Sequence, residues 1–317
     1  MSINPLSAVS IVLSAYNAGL FIRETLESIL SQTHRNFELL VYDDGSRDNT
    51  WDIIQQFSTR DARIRATKQE NIGQSATLNQ GIAEANYPLV MIFDADDIMM
   101  PNCVAMQVAF LEMHPQLVGA GCLARFINAQ GKEFWNEKNP FVTVESFEKT
   151  RLNGETLFFR HPGFIFRREI FNRLPGGYRN IAQSNDIDMF NRLADLGPIL
   201  TNPQVLMKYR VHANQDSLAY KNRLEPRLTW AWIGACAAAR CKNEKEPTLQ
   251  EFKNNFYAGP WLERWRFTLS ALGVAYWYEA RVEWITGQKS FLYKAPLSIL
   301  LSPAKTAKNI WRRLFKA

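Results

Sequence analysis

Residues 89–97, Leu89-Val90-Met91-Ile92-Phe93-Asp94-Ala95-Asp96-Asp97, pass from five apolar side chains directly into three carboxylates. A short continuous apolar run reads as a buried strand, so the acids stand where the strand ends and its loop begins. The same transition occurs earlier, where Phe37–Tyr42 leads into Asp43-Asp44-Gly45-Ser46. In open α/β sheets the ligand crevice lies outside the carboxyl ends of the strands, so both runs can meet one ligand. Crowded carboxylates repel unless a cation or a donor-rich ligand compensates, and a hard divalent metal carrying phosphate oxygens does so. A calcium EF-hand loop is excluded, because the required later Gly and Glu are missing. The first reading is a metal and nucleotide site.

Working outward, strand-like and helix-like segments alternate from Ala8 to about Phe126, the signature of a mainly parallel sheet covered by helices. Val9–Leu13 is apolar throughout, and residues 18–32 carry Leu20, Ile22, Leu26, Ile29 and Leu30 at near-helical spacing. Asp48 can cap a helix through Trp51, Ile54 and Phe57; Ile64–Thr67 reads as a strand; Gly73–Ala85 reads as a helix with Leu78, Ile82 and Ala85 on one face. Pro101 can begin another helix, and Val118–Ile127 followed by Asn128-Ala129-Gln130-Gly131 suggests a more antiparallel half. Turns are expected at His161-Pro162-Gly163 and Pro175-Gly176-Gly177-Tyr178, a helix over Ser184–Leu196 and a strand over Val205–Val211. After about Lys221 the texture changes to aromatic and Ala-rich helices. The expected organisation is a main domain at 1–220, with halves 1–127 and 128–220, and a helical region at 221–317.

At 317 residues and 46% hydrophobic content the chain can bury a large core. Its formal charge of +6 is uneven: Lys289, Lys294, Lys305, Lys308, Arg312, Arg313 and Lys316 close the sequence with no Asp or Glu among them. Cys103, Cys122, Cys236 and Cys241 form no CxxC pair and have no His at zinc-ligand spacing, so free thiols in a reducing compartment are expected. Met1–Ala8 lacks the pattern of a secretory signal, and no stretch reaches the roughly 18 apolar residues of a spanning helix. The expectation is a cytoplasmic protein.

Three further groups bear on chemistry. Ser14 and Tyr16 stand near the end of the first strand, where an aromatic ring can stack on a base and a neighbouring carboxylate can accept its N–H. The plainer reading of Asp43-Asp44-Gly45-Ser46 is turn chemistry, and that of Asp94–Asp97 a solvated acidic loop. Asn185-Asp186-Ile187-Asp188 opens a helix-like stretch, where a carboxylate also suits the helix dipole. Tyr209-Arg210-Val211-His212-Ala213-Asn214-Gln215-Asp216-Ser217 follows the last core strand and brings a cation and a histidine.

In order and spacing these segments resemble the family 2 glycosyltransferases, inverting enzymes with a GT-A nucleotide-sugar-binding fold, among them those of bacterial surface-polysaccharide and lipopolysaccharide synthesis. The resemblance rests on Val9 to Asn17, on Ser28-Ile29-Leu30-Ser31-Gln32-Thr33 and on Asp43 to Thr50. It continues through Asn71-Ile72-Gly73, Asn79-Gln80-Gly81-Ile82, Asp94-Ala95-Asp96-Asp97 with Pro101, and the Arg210-to-His212 segment. It implies an α/β fold with a mixed sheet flanked by helices and a helical C-terminal extension. It also implies that Ser14, Tyr16, Asp43 and Asp44 line the base pocket, that Asn79, Asp94, Ala95, Asp96 and Arg210 bind the nucleotide sugar, and that Asp96, Asp97 and His212 serve a Mn2+ or Mg2+ ion. Asp186 matches the general base of the family, whose look-alikes carry an acid where this chain has Asn185. Leu78 stands where many relatives carry Arg, which removes one candidate phosphate contact.

The mechanism so implied is one in-line displacement, with the metal offsetting charge on the leaving diphosphate and Asp186 activating an acceptor hydroxyl. The donor would be a nucleoside-diphosphate sugar, with a leaning towards uridine, and the acceptor a saccharide or a lipid-linked saccharide. Ala307, Ile310, Trp311, Leu314 and Phe315 recur at helical spacing among the terminal cations, so the tail can lie on the inner face of the cell membrane or pack in an oligomer. A sugar nucleotidyltransferase would carry a Gly-rich phosphate loop, which Ser14-Ala15-Tyr16-Asn17 is not. A noncatalytic carbohydrate-binding or assembly protein would have no use for both acidic runs and Asp186, and nucleic acid does not explain acids at the site.

Overall fold

The computed structural model describes residues 7–137, 141–181, 184–212, 224–285 and 289–302. The chain divides into two compact units, one of Met1–Ile127 with Trp135–Arg210 and one of Asn128–Phe134 with Val211–Ala317. The division expected at 220/221, the motif residues 213–217 and the amphipathic tail after Ser302 lie outside the described residues.

The first unit begins with β1 (Val9–Ala15), α1 (Ile22–Leu30), β2 (Phe37–Asp44), α2 (Thr50–Ser58), β3 (Ile64–Gln69), α3 (Gln74–Glu84) and β4 (Leu89–Asp94). These strands are parallel in the order β3-β2-β1-β4. Val9, Ile11, Val12, Leu39, Leu40, Val41 and Val90 to Ile92 are all buried, as continuous apolar runs in a sheet covered on both faces should be. Each such side chain contributes about 1.5–3 kcal/mol by leaving water.

The chain continues through β5 (Ile98–Met99), α4 (Cys103–Met113), β6 (Gly119–Asn128), β7 (Glu133–Asn136), α5 (Val144–Leu152), β8 (Phe164–Arg167), α6 (Arg168–Phe171), α7 (Asn185–Leu193) and β9 (Ile199–Val211). Here the sheet becomes mixed: β8 runs antiparallel to β4 and to β6, and β5 antiparallel to β9, completing the order β3-β2-β1-β4-β8-β6-β9-β5. Two elements have no clear sequence signal. β5 is two residues long and exists through its pairing with β9. α5 starts at a capping box in which Ser146, not the usual Glu or Gln, answers Thr143.

The second unit is helical: α8 (Glu225–Cys241), α9 (Leu249–Ala258), α10 (Trp261–Ile285) and α11 (Phe291–Leu301). Among the described residues no helix is long and apolar enough to cross a membrane.

Candidate active site

Parallel register brings three strand ends level: Ser14 stands opposite both Tyr42 and Asp94, and Ala15 opposite Asp43. Asp43 and Asp44 are therefore the last residues of β2 itself, and both are buried. Their hydrogen bonds differ. Asp44 Oδ1 accepts from Gln69 Nε2 (2.9 Å) and Ile72 N (3.0 Å), and Oδ2 accepts from Gly73 N (2.9 Å). It thereby ties β2 to the turn that starts α3, where Gly73 has a φ of 87° that favours glycine. Asp43 Oδ1 accepts from Ser46 N at 3.1 Å, whereas its buried Oδ2 has no donor among the described residues.

Glu38, at the opposite end of β2, shows how this protein satisfies a purely structural acid. Its Oε1 accepts from Ser10 Oγ (2.6 Å) and Asn86 N (2.7 Å), and its Oε2 from Asn86 Nδ2 (2.7 Å). A buried oxygen left without a donor costs on the order of 1–3 kcal/mol and calls for a water, an ion or a ligand as its partner. Asp43 Oδ2 is such an oxygen.

Beyond β4 the acidic loop is held from behind. Thr25 Oγ1 on α1 lies 3.0 Å from Ala95 O and 2.8 Å from Asp97 O, and Arg210 Nε donates to Asp96 O at 2.7 Å. Arg210 N donates to Asp97 Oδ1 at 2.7 Å, and the buried guanidinium also pairs with Glu24 and lies over the Phe21 ring. Asp97 is buried with Oδ2 undonated among the described residues. Burial, then the charges of Asp96 and Asp94, push its carboxyl well above the usual carboxylate range. Asp94 and Asp96 keep part of their surface open. Among the described residues no three His, Cys, Asp or Glu side chains form a ready-made cation cage. The donor set nevertheless suits a hard divalent ion, which takes one or two carboxylates and completes its shell with phosphate oxygens and water.

On the other side of Asp94 sits His161, buried just before β8. Its Nδ1 lies 3.3 Å from Asp94 Oδ1 and its Nε2 2.9 Å from the Tyr178 hydroxyl. Tyr178 is fixed through its backbone: Asn79 Oδ1 accepts from Tyr178 N at 2.8 Å, and Asn79 Nδ2 donates to Tyr178 O at 2.8 Å. The clasp needs glycine in the turn, since a Cβ on Gly177 would fall 2.3 Å from Asn79 Oδ1. Asp186 lies in the first turn of α7, after Ser184 in the left-handed region (φ 64°). Asn185 donates from Nδ2 to Ser75 Oγ (2.9 Å) and accepts at Oδ1 from Asp186 N (2.9 Å), so the position before the acid anchors α7 to α3.

Burial raises the Asp186 carboxyl and the charge of Asp94 adds to this, while the His161 charge partly offsets both. Burial alone would lower the His161 pKa, but the hydrogen bond to Asp94 and the charges of Asp94 and Asp186 outweigh it and raise it. One buried imidazole thus interacts with an acid of the strand ends and with the acid of α7.

Residues 10–174 match the family model of glycosyl transferase family 2, which covers more than half of the chain. The chain belongs to that family. An uncharacterized glycosyltransferase of Haemophilus influenzae is 28% identical over 229 residues, 68% of each chain. S. aureus TarS 1-349, solved in complex with UDP-GlcNAc, superposes with a TM-score of 0.59 at 17% identity, covering 97% of this chain and 93% of that one. The mannosyltransferase PcManGT of Pyrobaculum calidifontis, solved with GDP-Man and Mn2+, gives 0.58 at 20% identity over 98% and 90%. At such identities the likeness speaks for the fold, which is the GT-A arrangement of a mixed sheet flanked by helices.

In this family 2 glycosyltransferase the strand ends bring together Ser14, Asp43, Asp44 and Asp94, with Ala95, Asp96 and Asp97 in the loop that follows. Tyr16 is at the rim with its side chain exposed; its loop is tied to the one after β2 by Asn17 N to Ser46 Oγ (2.9 Å) and Ala18 N to Thr50 Oγ1 (2.8 Å). Asn79 and Arg210, expected on the nucleotide sugar, are hydrogen-bonded to loops around the site, Asn79 to Tyr178 and Arg210 to Asp96 and Asp97. His212 belongs to the second unit and follows β9 directly. His161 and Tyr178 are the site residues that sequence reasoning passed over as parts of turns. The available signal for His161 was its place before a buried apolar strand, mirroring the acids that follow such strands.

Replacing His161 by Phe keeps a flat ring, somewhat larger than the imidazole, and removes both hydrogen bonds. Losing contacts of about 1–3 kcal/mol at the site should slow turnover about tenfold to a hundredfold with a native far-UV spectrum. Wild-type turnover in His161→Phe would remove the imidazole from the site.

Proposed function

We propose that this glycosyltransferase moves a sugar from a nucleoside-diphosphate sugar, with uridine favoured, to a hydroxyl of a saccharide or lipid-linked saccharide, with inversion. The observation that carries this reading is the contact of the strand-end acid Asp94 with the buried imidazole of His161, whose charge also acts on Asp186. Proteins of the same fold have been solved with UDP-GlcNAc and with GDP-Man and Mn2+, which supports the donor class and a divalent ion.

Tyr16 offers a ring face to the base, and the undonated Asp43 Oδ2 an acceptor for a base N–H. Ser14 completes that pocket, while Asp44 and Asn79 keep its turns in place. Asp94 faces the ribose and sugar. Asp96 and Asp97 would hold Mn2+ or Mg2+. Bound there, the ion offsets negative charge on the departing nucleoside diphosphate. Arg210 keeps the acidic loop in register for this. Asp186 takes the proton of the acceptor hydroxyl on the face opposite the diphosphate, so the oxygen attacks from behind and the anomeric centre inverts. No glycosyl-enzyme intermediate forms. The catalytic domain is taken as 1–220, and the cellular setting as cell-surface polysaccharide or lipopolysaccharide assembly on the cytoplasmic side.

The test is a panel of nucleoside-diphosphate sugars with Mn2+ or Mg2+, read by nucleoside diphosphate release, without and then with lipid-linked saccharide extracts. Release with one donor, raised by acceptor, lost on complete chelation and restored by the ion, is expected. Activity that survives complete chelation removes the ion from the reading. Saccharide binding with no release from any donor would establish a noncatalytic carbohydrate-binding protein instead.

A further inference from the structure

Helix α11 packs the wrong way round for a water-soluble helix. An amphipathic helix ordinarily turns its apolar stripe inward and its polar residues to solvent. Leu292, Tyr293, Pro296, Ile299 and Leu300 recur at spacings that place them on a single face, and all five are exposed, Leu292 by 64% and Leu300 by 77%. The opposite face carries the polar residues and meets α10. Lys294 pairs there with Glu279 at 2.9 Å and with Glu283, and Ser298 and Ser302 are buried. The two helices approach closely at Gly273, where a Cβ would lie 2.5 Å from Ser302 Cβ and 3.1 Å from Ser298 O.

These contacts fix the rotation of α11. Turning the stripe inward would break both Lys294 pairs and lose the Gly273 approach, which no larger residue allows. The outward stripe is thus held by specific contacts on the other side, and an occupant for it must be sought.

We infer that this stripe is a membrane-docking surface, which lies flat in the interface of a bilayer containing anionic lipid. Two features choose the occupant. Besides the paired Lys294, the sequence from Lys289 to Ala317 has six basic residues and no acidic one, and Lys289, just before α11, is exposed. A second copy of the same face would bring like charges together, and five side chains on one short helix fall well below the roughly 800 Å² per partner of a standard interface. A lipid surface meets both features. Its headgroups complement the cations at about 1 kcal/mol each, and its acyl boundary takes an apolar helix face to a depth of about 5–10 Å without a spanning segment.

The surface is independent of the chemistry proposed above and is tested separately, by flotation of the full chain with phosphatidylcholine vesicles and with vesicles that also contain phosphatidylglycerol. Wild type should float with the anionic vesicles and stay behind with the neutral ones. The full-length double variant Leu292→Ser with Leu300→Ser, altered only at exposed positions, should lose at least about tenfold in vesicle partitioning with its melting temperature and nucleoside diphosphate release intact. Three results would overturn the proposal. One is a wild type that ignores anionic vesicles. Another is a double variant that binds as wild type does. The third is a dimer, seen by light scattering, that the double variant converts to monomer, since the face would then be covered by a second copy.

Discussion

Asp186→Asn should lower transfer about a thousandfold or more while leaving affinity for the donor within about twofold. The substitution keeps shape and removes only the ability to take a proton. In the proposed reaction donor affinity rests on the strand-end residues, which the change does not touch. Two pH signatures follow from the raised Asp186 pKa. The wild-type rate should climb as the carboxyl ionises, and this acid limb should lie higher than an ordinary aspartate's and be absent from the variant's residual rate. A carboxyl whose folded pKa exceeds its unfolded one favours the fold below the unfolded pKa, and that contribution is lost as pH rises through the folded value. Asp186→Asn should therefore gain stability relative to wild type between acid and neutral pH. Turnover profiles and thermal melts across pH check both, and wild-type-like turnover in the variant sinks the assignment.

Asp44→Asn should destabilise the protein by about 3 kcal/mol. The wild-type carboxylate accepts three hydrogen bonds while buried, two of them from backbone N–H groups of the turn before α3. An amide offers one oxygen and sets its NH2 against a remaining donor, so at least one buried N–H goes unanswered. Urea denaturation should show the midpoint falling with an unchanged slope. Asp43→Asn is the control, since it retains an acceptor for Ser46 N and already lacks a donor at Oδ2. It should cost much less stability and weaken donor binding instead. Equal stabilities for the two variants would show that neighbouring acids do not divide their tasks in this way.

The parallel half of the sheet was legible because its signals are local. Apolar runs such as Leu89–Phe93 and Leu39–Val41 become buried strands, and acids that follow such runs arrive at the carboxyl edge whatever the later chain does. The partners of those acids were not legible. Asn79 meets Tyr178 across 99 residues, and Thr25 meets Asp97 across 72, contacts that depend on where whole elements settle. Arg210 illustrates the limit: its bonds to the Asp96 carbonyl, the Asp97 carboxyl and Glu24 join parts of the chain that no local pattern links. Which side of α11 faces solvent was likewise decided by Lys294 and Gly273, through contacts no periodicity records.

The clamp on the acidic loop also has a history in time. Its bonds to Arg210 span 113 and 114 residues, so a chain made from its N-terminus carries three adjacent carboxylates long before the group that fixes them has been synthesised. Contacts of such separation form late, after the costly closure of the intervening chain. The acidic loop therefore gains its last fasteners only when β9 joins the sheet, and a nascent chain stalled before Arg210 would hold every acid of the cluster with the Thr25 bonds alone behind it.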